Sequence, residues 1–218
     1  MTLYDRVVNY YSQYNKHSER DKVSCVSSHI PMITDQKYRY DWDTLPLPYL
    51  GNLLDARLYV LMLNPRPDHV QDYWRAPGKT EAQANLEQRS THFYPLLDKN
   101  CPGHQRWTTF FRPIWSELSF LPDPKLWLSN RVCLINVLPY ASWFFKDTDK
   151  IFDMPIHKDL REFVISLMSD PRRCFLIARK TGLWSPPETE NVRVLRPPEN
   201  RGVHLHKHVD WVMRYLSA

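Results

Sequence analysis

Glycine is scarce in this chain. Only 5 of its 218 residues are glycine, whereas a typical chain of this length has about 15. Neither a Gly-x-Gly-x-x-Gly string nor a Gly-x-x-x-x-Gly-Lys-Ser/Thr string occurs. Both strings place glycine where the backbone must approach a phosphate closely. Their absence argues against the common dinucleotide-binding folds and against P-loop nucleotide hydrolases.

Cysteine is also sparse, and its spacing excludes the common metal and redox motifs. The four cysteines, Cys25, Cys101, Cys133 and Cys174, are far apart, and no Cys-x-x-Cys pair occurs. Zinc-ribbon and iron–sulfur spacings are therefore missing. Cys133 and Cys174 lie inside apolar runs, where a free cysteine behaves as a small buried hydrophobic residue. We expect four reduced thiols, and we expect no metal and no other cofactor.

Long apolar segments are missing as well. No run of 18 apolar residues occurs, and the first 22 residues are polar and have no signal-peptide core. These features predict a cytoplasmic protein that has no membrane partner. The 29 basic and 24 acidic residues give a formal charge of +5. That charge is compatible with a polyanionic partner, but it does not establish one.

Four short apolar runs predict β-strands. Each run is bounded by turn residues, which is typical of strands buried on both faces of a parallel sheet. The predicted strands cover residues 58–63, 131–138, 173–179 and 192–195.

Helical periodicity separates these runs. It predicts helices at 3–16, 105–119 and 156–169, and in the closing segment HKHVDWVMRYL. Alternating strands and helices predict an α/β fold, a three-layer sandwich with a central, mostly parallel four-stranded sheet. We expect one domain over residues 1–218, in which 1–56 form an N-terminal helix and a Pro-rich extension.

Proline, present 18 times, accumulates where the predicted strands end. In open α/β sheets, ligands bind beyond the carboxyl ends of the strands. Proline stiffens such loops by restricting φ. Asn64 directly follows the first apolar run, so its amide is placed at a strand end. Asn136 lies within the apolar run LINVL and needs a hydrogen-bond partner, which is either backbone or a ligand with complementary atoms.

Four strings in this chain resemble motifs of the uracil-DNA glycosylase superfamily. They are LMLNPRP, THFYPLL, LINVLPY and VLRPPENRGVH, in the order in which the family has its motifs. The resemblance covers roughly residues 58–206 and is greatest to the single-strand-selective monofunctional and mismatch-specific branches. The first string resembles a strand that runs into Asn-Pro-Gly-Pro, with Arg66 in place of the glycine.

The resemblance implies a role for each motif. Asn64 would position the attacking water as the catalytic residue of the first motif. Phe93 would stack on the flipped base, and Asn136 would hydrogen-bond the pyrimidine edge. The fourth string resembles a loop in which the family has a histidine that helps to bind the departing base. This chain has Arg196 there, with His204 as the rival for that catalytic role.

Basic residues near the last two predicted strand ends, together with the Pro-rich loop that follows the last strand, predict the contacts to DNA. They are assigned to Lys180, Pro197, Pro198, Asn200 and Arg201. Lys180 is a phosphate contact or a solvated strand-end lysine rather than a Schiff-base residue. Asp68 is either a general base or, more simply, a solvated turn carboxylate. The stretch 65–92 is longer than the family's usual spacing, and its role is open.

The predicted function is a monofunctional DNA glycosylase, a hydrolase of N-glycosidic bonds. It would flip out and excise a uracil-like or modified pyrimidine and leave an abasic site. The tyrosine that makes the strict uracil enzymes specific is missing, so a phage hypermodified cytosine, such as a glucosylated one, is also a candidate base. The predicted partner is single- or double-stranded DNA, and the protein is expected to be a bacterial, nucleoid-associated monomer with a role in antiphage defence. The alternatives are a non-catalytic DNA-binding module and a hydrolase of free nucleosides or nucleotides.

Overall fold

The structure is a computed structural model of the chain. It describes residues 1–13, 45–63, 73, 77–138, 155–178, 181–195 and 205–217.

A five-stranded, mostly parallel sheet forms the centre of the fold. Its strands are β1 (Tyr49–Gly51), β2 (Leu58–Met62), β3 (Val132–Asn136), β4 (Cys174–Ile177) and β5 (Val192–Val194). The strand order is β1-β3-β2-β4-β5. β1 pairs antiparallel with β3, and the other neighbours are parallel.

The four predicted strands are confirmed, with somewhat shorter bounds, but the predicted number of strands is wrong. The fifth strand, β1, lies inside the Pro-rich extension, where no strand was predicted. Only three residues long, β1 is held by pairing with a strand more than 80 positions away, Tyr49 lying opposite Ile135. A strand this short has no apolar periodicity of its own.

Seven α-helices are present in the described part of the chain. They are α1 (Leu3–Ser12), α2 (Pro77–Leu86), α3 (His104–Glu117), α4 (Pro124–Ser129), α5 (Pro155–Leu167), α6 (Thr181–Trp184) and α7 (Val209–Leu216). Short 3₁₀ segments cover Tyr94–Leu96 and Leu205–His208. The helices predicted at 105–119 and 156–169 are confirmed as α3 and α5. α2 occupies part of the long 65–92 stretch.

The core lies where the apolar runs meet. β2, β3 and β4 are buried at every position, as expected for central strands covered on both faces. α3 contributes Trp107, Phe110, Phe111 and Ile114 to the core. Their spacing of three and four residues places them on one helix face.

The N-terminal helix α1 packs against α5. Its first turn is closed by a capping box, in which Thr2 Oγ1 accepts from Asp5 N and Asp5 Oδ2 accepts from Thr2 N. Arg6 pairs with Asp159 of α5 at 2.8 Å. None of the described helices is long and apolar enough to cross a lipid bilayer.

Candidate functional site

The carboxyl ends of the four parallel strands lie at one edge of the sheet. Met62 is in register with Asn136, and Leu61 is in register with Ile177. Ile177 is in turn in register with Val194. The chain therefore leaves all four strands at the edge where α/β folds bind their ligands.

Main-chain hydrogen bonds continue past the strand ends. Val137 N donates to Met62 O at 3.3 Å, and Leu138 N donates to Leu63 O at 2.8 Å. Leu63 directly precedes Asn64, and Leu138 directly precedes Pro139. These bonds hold the first and third motif-like strings side by side.

Asn136 is the last residue of β3, and its side chain is 2% exposed. Its Nδ2 donates to Leu47 O at 2.7 Å, and its main-chain N donates to Pro48 O at 2.9 Å. Of the two partners considered from the sequence, the backbone is the one found. The bond fixes the orientation of the amide at the carboxyl edge of the sheet.

Phe93 is fully buried in an aromatic cluster. Its ring meets the rings of Trp107 and Phe111 edge to face, with centroid distances of 5.5 and 5.8 Å. Edge-to-face packing of this kind stabilises a core. As the structure stands, the ring has no exposed face on which a base could stack.

The two base-binding candidates lie toward different ends of β3. Phe93 N donates to Ser129 O at 2.9 Å, three positions before β3 begins, whereas Asn136 ends that strand. A strand of this length spans roughly 13 Å. The main chain of Phe93 thus lies beside the amino end of β3, and that of Asn136 lies at its carboxyl end.

The other predicted site residues lie outside the described residues. They are Asn64, Arg196 and His204 among the catalytic candidates, Asp68, and Lys180, Pro197, Pro198, Asn200 and Arg201 among the DNA contacts. Their roles remain predictions.

The histidines near the C-terminus lie in the 3₁₀ segment before α7. His206 is exposed, and His208 is half-buried. Among the described residues, no three His, Cys, Asp or Glu side chains form a group that could hold a metal ion.

A group of arginines at the opposite edge of the sheet was missed in the sequence. Arg57, Arg131 and Arg173 directly precede β2, β3 and β4. The signal was visible, because an arginine stands before three of the four apolar runs.

The chain was compared with models of protein families, with curated proteins and with solved structures, and no match was found.

Proposed function

We propose that this protein is a monofunctional DNA glycosylase that flips a uracil-like or modified pyrimidine out of the stack and hydrolyses its N-glycosidic bond. The proposal starts from the four motif-like strings in the sequence. The observation that carries it is the hydrogen-bonded pairing of Leu63 with Leu138. This pairing places the first and third motif-like strings next to each other at one edge of the sheet, as a shared pocket requires.

In this scheme Asn64 holds a water molecule against the sugar C1′ atom while the glycosidic bond breaks. The sugar becomes oxocarbenium-like and the base departs as an anion, so stabilising that anion lowers the barrier. Arg196 or His204 supplies the positive charge. Water then adds to C1′, the proton that it loses neutralises the departed base anion, and the products are the free base and an abasic site.

Asn136 reads the edge of the flipped base, and because it is 2% exposed, this contact, like stacking on Phe93, requires its surroundings to open when DNA binds. Its amide has two N–H donors and one acceptor oxygen. The bond to Leu47 O at 2.7 Å uses one N–H donor and fixes the direction of the second N–H and of the amide oxygen. A preorganised amide loses little entropy when it binds a pyrimidine edge.

Phe93 has a smaller part in this proposal than in the sequence-based prediction. Because its ring is buried against Trp107 and Phe111, stacking on a base requires this cluster to open when DNA binds. Phe93→Leu separates the two roles, since leucine keeps apolar packing but lacks the ring. Loss of excision in a folded variant supports stacking, and full excision assigns Phe93 to the core.

The proposal includes a three-layer arrangement with helices on both faces of the sheet. It also includes a monomeric protein in the bacterial cytoplasm, where the DNA substrate is located. The 65–92 stretch, which contains α2, is assigned no catalytic role.

The test is an abasic-site cleavage assay. Oligonucleotides carrying uracil, hydroxymethylcytosine or glucosylated hydroxymethylcytosine are incubated with the protein, single- and double-stranded, and abasic sites are cleaved with alkali. At least one substrate is expected to give strand breaks. Asn64→Ala is expected to lower the rate at least about a hundredfold, as for loss of a positioned catalytic group, while DNA binding persists.

The matched control is Asn9→Ala, because Asn9 is exposed on α1. This variant should keep the wild-type excision rate. Binding without abasic sites on any substrate would instead indicate a DNA-binding module, and release of bases from free nucleosides alone would indicate a nucleoside hydrolase. Either outcome overturns the proposal.

A further inference from the structure

An open pocket of about 130 Å³ lies at the amino edge of the sheet, opposite the proposed excision site. Its lining residues are Asp55, Ala56, Arg57, Asp170, Arg172 and Arg173. Together with Arg131, the three lining arginines form what we call the amino-edge arginine group: Arg57, Arg131, Arg172 and Arg173.

The main chain holds this group in place. Arg57 N and Leu58 N both donate to Arg131 O at 2.9 Å, and Cys174 N donates to Arg57 O at 2.8 Å. Arg57 is therefore tied to β3 on one side and to β4 on the other. Because these bonds extend the hydrogen bonding of the sheet, the main chain from which these arginine side chains project is held in place.

Two of the arginines share one carboxylate. Arg172 reaches Asp170 through Nε and Nη2, both at 2.9 Å, and Arg173 Nε reaches the same carboxylate at 2.9 Å. Arg173 also donates to Tyr59 OH at 2.9 Å. These hydrogen bonds, led by those from Arg172, hold the pKa of Asp170 well below its usual range. The single negative charge of Asp170 is therefore shared by two arginines, so this cluster keeps a net positive charge.

Arg57 and Arg131 have no such partner. Arg57 Nη1 donates to Arg172 O at 3.3 Å, and Arg131 Nη1 donates to Trp127 O at 3.2 Å. The Arg131 guanidinium also lies 3.9 Å from the Trp127 ring centroid. No described carboxylate lies within ion-pair distance of either guanidinium. Burial and the nearby charge of Arg57 lower the pKa of Arg131, which indicates that the two cations repel each other.

We propose that the amino-edge arginine group binds a phosphate group, with Arg57 as its central contact. Guanidinium groups present planar forks of N–H donors that match phosphate oxygens. The pocket has room for a phosphate, since a cavity holds one water molecule from roughly 10–15 Å³ of such space. A bound dianion would also relieve the repulsion between Arg57 and Arg131. This site does not depend on the proposed glycosylase function, because it lies at the other end of the strands.

Asp55 provides a test of the sign of the ligand's charge. Asp55 lines the pocket, and its negative charge opposes an anion there. If the ligand is an anion, Asp55→Asn should tighten binding. If the pocket instead holds a cation between Asp55 and Asp170, the same substitution should weaken binding.

The experiment is isothermal titration calorimetry on the full chain at low salt. The probes are inorganic phosphate and an unmodified single-stranded oligothymidylate of about ten nucleotides. Arg57→Gln is compared with Arg89→Gln, which makes the same change of charge at an exposed arginine paired with Glu87. Circular dichroism and the Tm verify that each variant is folded. Arg57→Lys is a milder variant that keeps the charge but loses the fork.

We expect Arg57→Gln to weaken binding of at least one probe by about tenfold or more, as for loss of a charge-assisted hydrogen bond. Arg57→Lys should fall between Arg57→Gln and wild type, and Arg89→Gln should bind like wild type. Arg57-dependent binding of the oligonucleotide alone identifies the nucleic-acid backbone as the source of the phosphate, and Arg57-dependent binding of inorganic phosphate identifies a free phosphate or phosphomonoester. The proposal is overturned if the wild type binds neither probe, if Arg57→Gln binds like wild type, or if Asp55→Asn weakens binding.

Discussion

At the scale of single residues, His157 is the buried titratable group between α1 and α5. It is 2% exposed, and its Nδ1 lies 2.9 Å from the hydroxyl oxygen of Tyr11. The two rings also stack, with centroids 6.5 Å apart. Burial lowers the pKa of His157 to about 4, so the ring is neutral in the folded protein at pH 7.

We predict that the free energy of unfolding falls as the pH drops from about 6.5 to about 4. The pKa of His157 is about 4 in the folded protein and about 6.5 in an unfolded chain. Between these values the unfolded chain binds the additional proton, so protonation favours unfolding. The stabilisation is fully present above about pH 7, and the loss reaches about 3 kcal/mol at most. Urea unfolding at pH 7 and pH 5 measures it.

The control for this prediction is His157→Gln. Glutamine can still hydrogen-bond Tyr11 but does not titrate, so the difference in stability between pH 7 and pH 5 should shrink. An unchanged pH dependence in this variant would show that other groups cause the loss. Tyr11→Phe removes only the hydroxyl and should lower stability by about 1 kcal/mol.

At the scale of elements, Gly51 sets the geometry of β1. Its φ is +104°, and a Cβ added there would lie 2.2 Å from Val132 O on the neighbouring strand. β1 is therefore built around a residue without a side chain. β1 directly follows Leu47 and Pro48, whose carbonyl oxygens accept the hydrogen bonds of Asn136. The pairing of β1 with β3 therefore also helps to hold Asn136 at the carboxyl edge of the sheet.

We predict that Gly51→Ala lowers the free energy of unfolding by at least about 2 kcal/mol, because it combines backbone strain with a steric clash. Gly182→Ala is the matched control. Gly182 lies in α6, and a Cβ there meets no atom within 4 Å. Its effect should be neutral or stabilising by up to about 1 kcal/mol. Equal effects of the two substitutions in urea unfolding would contradict the role given to Gly51.

At the scale of the whole molecule, the reactivity of the buried cysteine thiols provides a measure of global unfolding. Cys101, Cys133 and Cys174 are free and buried. Burial raises the pKa of Cys101 to about 11 and raises the pKa values of Cys133 and Cys174 further above the usual range. Thiols react as thiolates, so these three are doubly protected in the folded protein.

We predict that at least three of the four thiols stay unreactive toward an aromatic disulfide reagent in the native protein at pH 7.5. All four should react in urea. In intermediate urea, the slow reaction of Cys133 and Cys174 should follow the unfolding transition measured by circular dichroism, because both lie in central strands. Rapid reaction of more than one thiol without denaturant would contradict this burial.

Much of the central sheet could be predicted from the sequence. The runs that became β2, β3 and β4 are continuously apolar, and that pattern is a local property of the chain. β1 could not be predicted, because a three-residue strand in a Pro-rich stretch exists only through its pairing with β3. The helices with apolar residues at spacings of three and four were predictable for the same reason as the central strands, whereas the six-residue α4 is too short to show a period.

In the candidate site, too, some features could be predicted from the sequence and others required the folded structure. That Asn136 needs a partner followed from its apolar neighbours, but its partner, Leu47 O, is 89 positions away and only the folded chain could identify it. Phe93 was assigned to stacking by the motif around it, and its burial against Trp107 and Phe111 emerged only from tertiary packing.

By itself the sequence determined the four parallel strands, since apolar side chains must leave water wherever they stand in the chain, but it did not determine β1. It also showed which polar residues directly follow each of these strands. Only the tertiary structure decided which strand ends meet, which asparagine and which phenylalanine are enclosed, and that Arg57, Arg131, Arg172 and Arg173 form one group. The reason is physical: hydrogen bonds and like-charge repulsion act over a few ångströms in space, and the chain has to fold before residues distant in sequence come within that range.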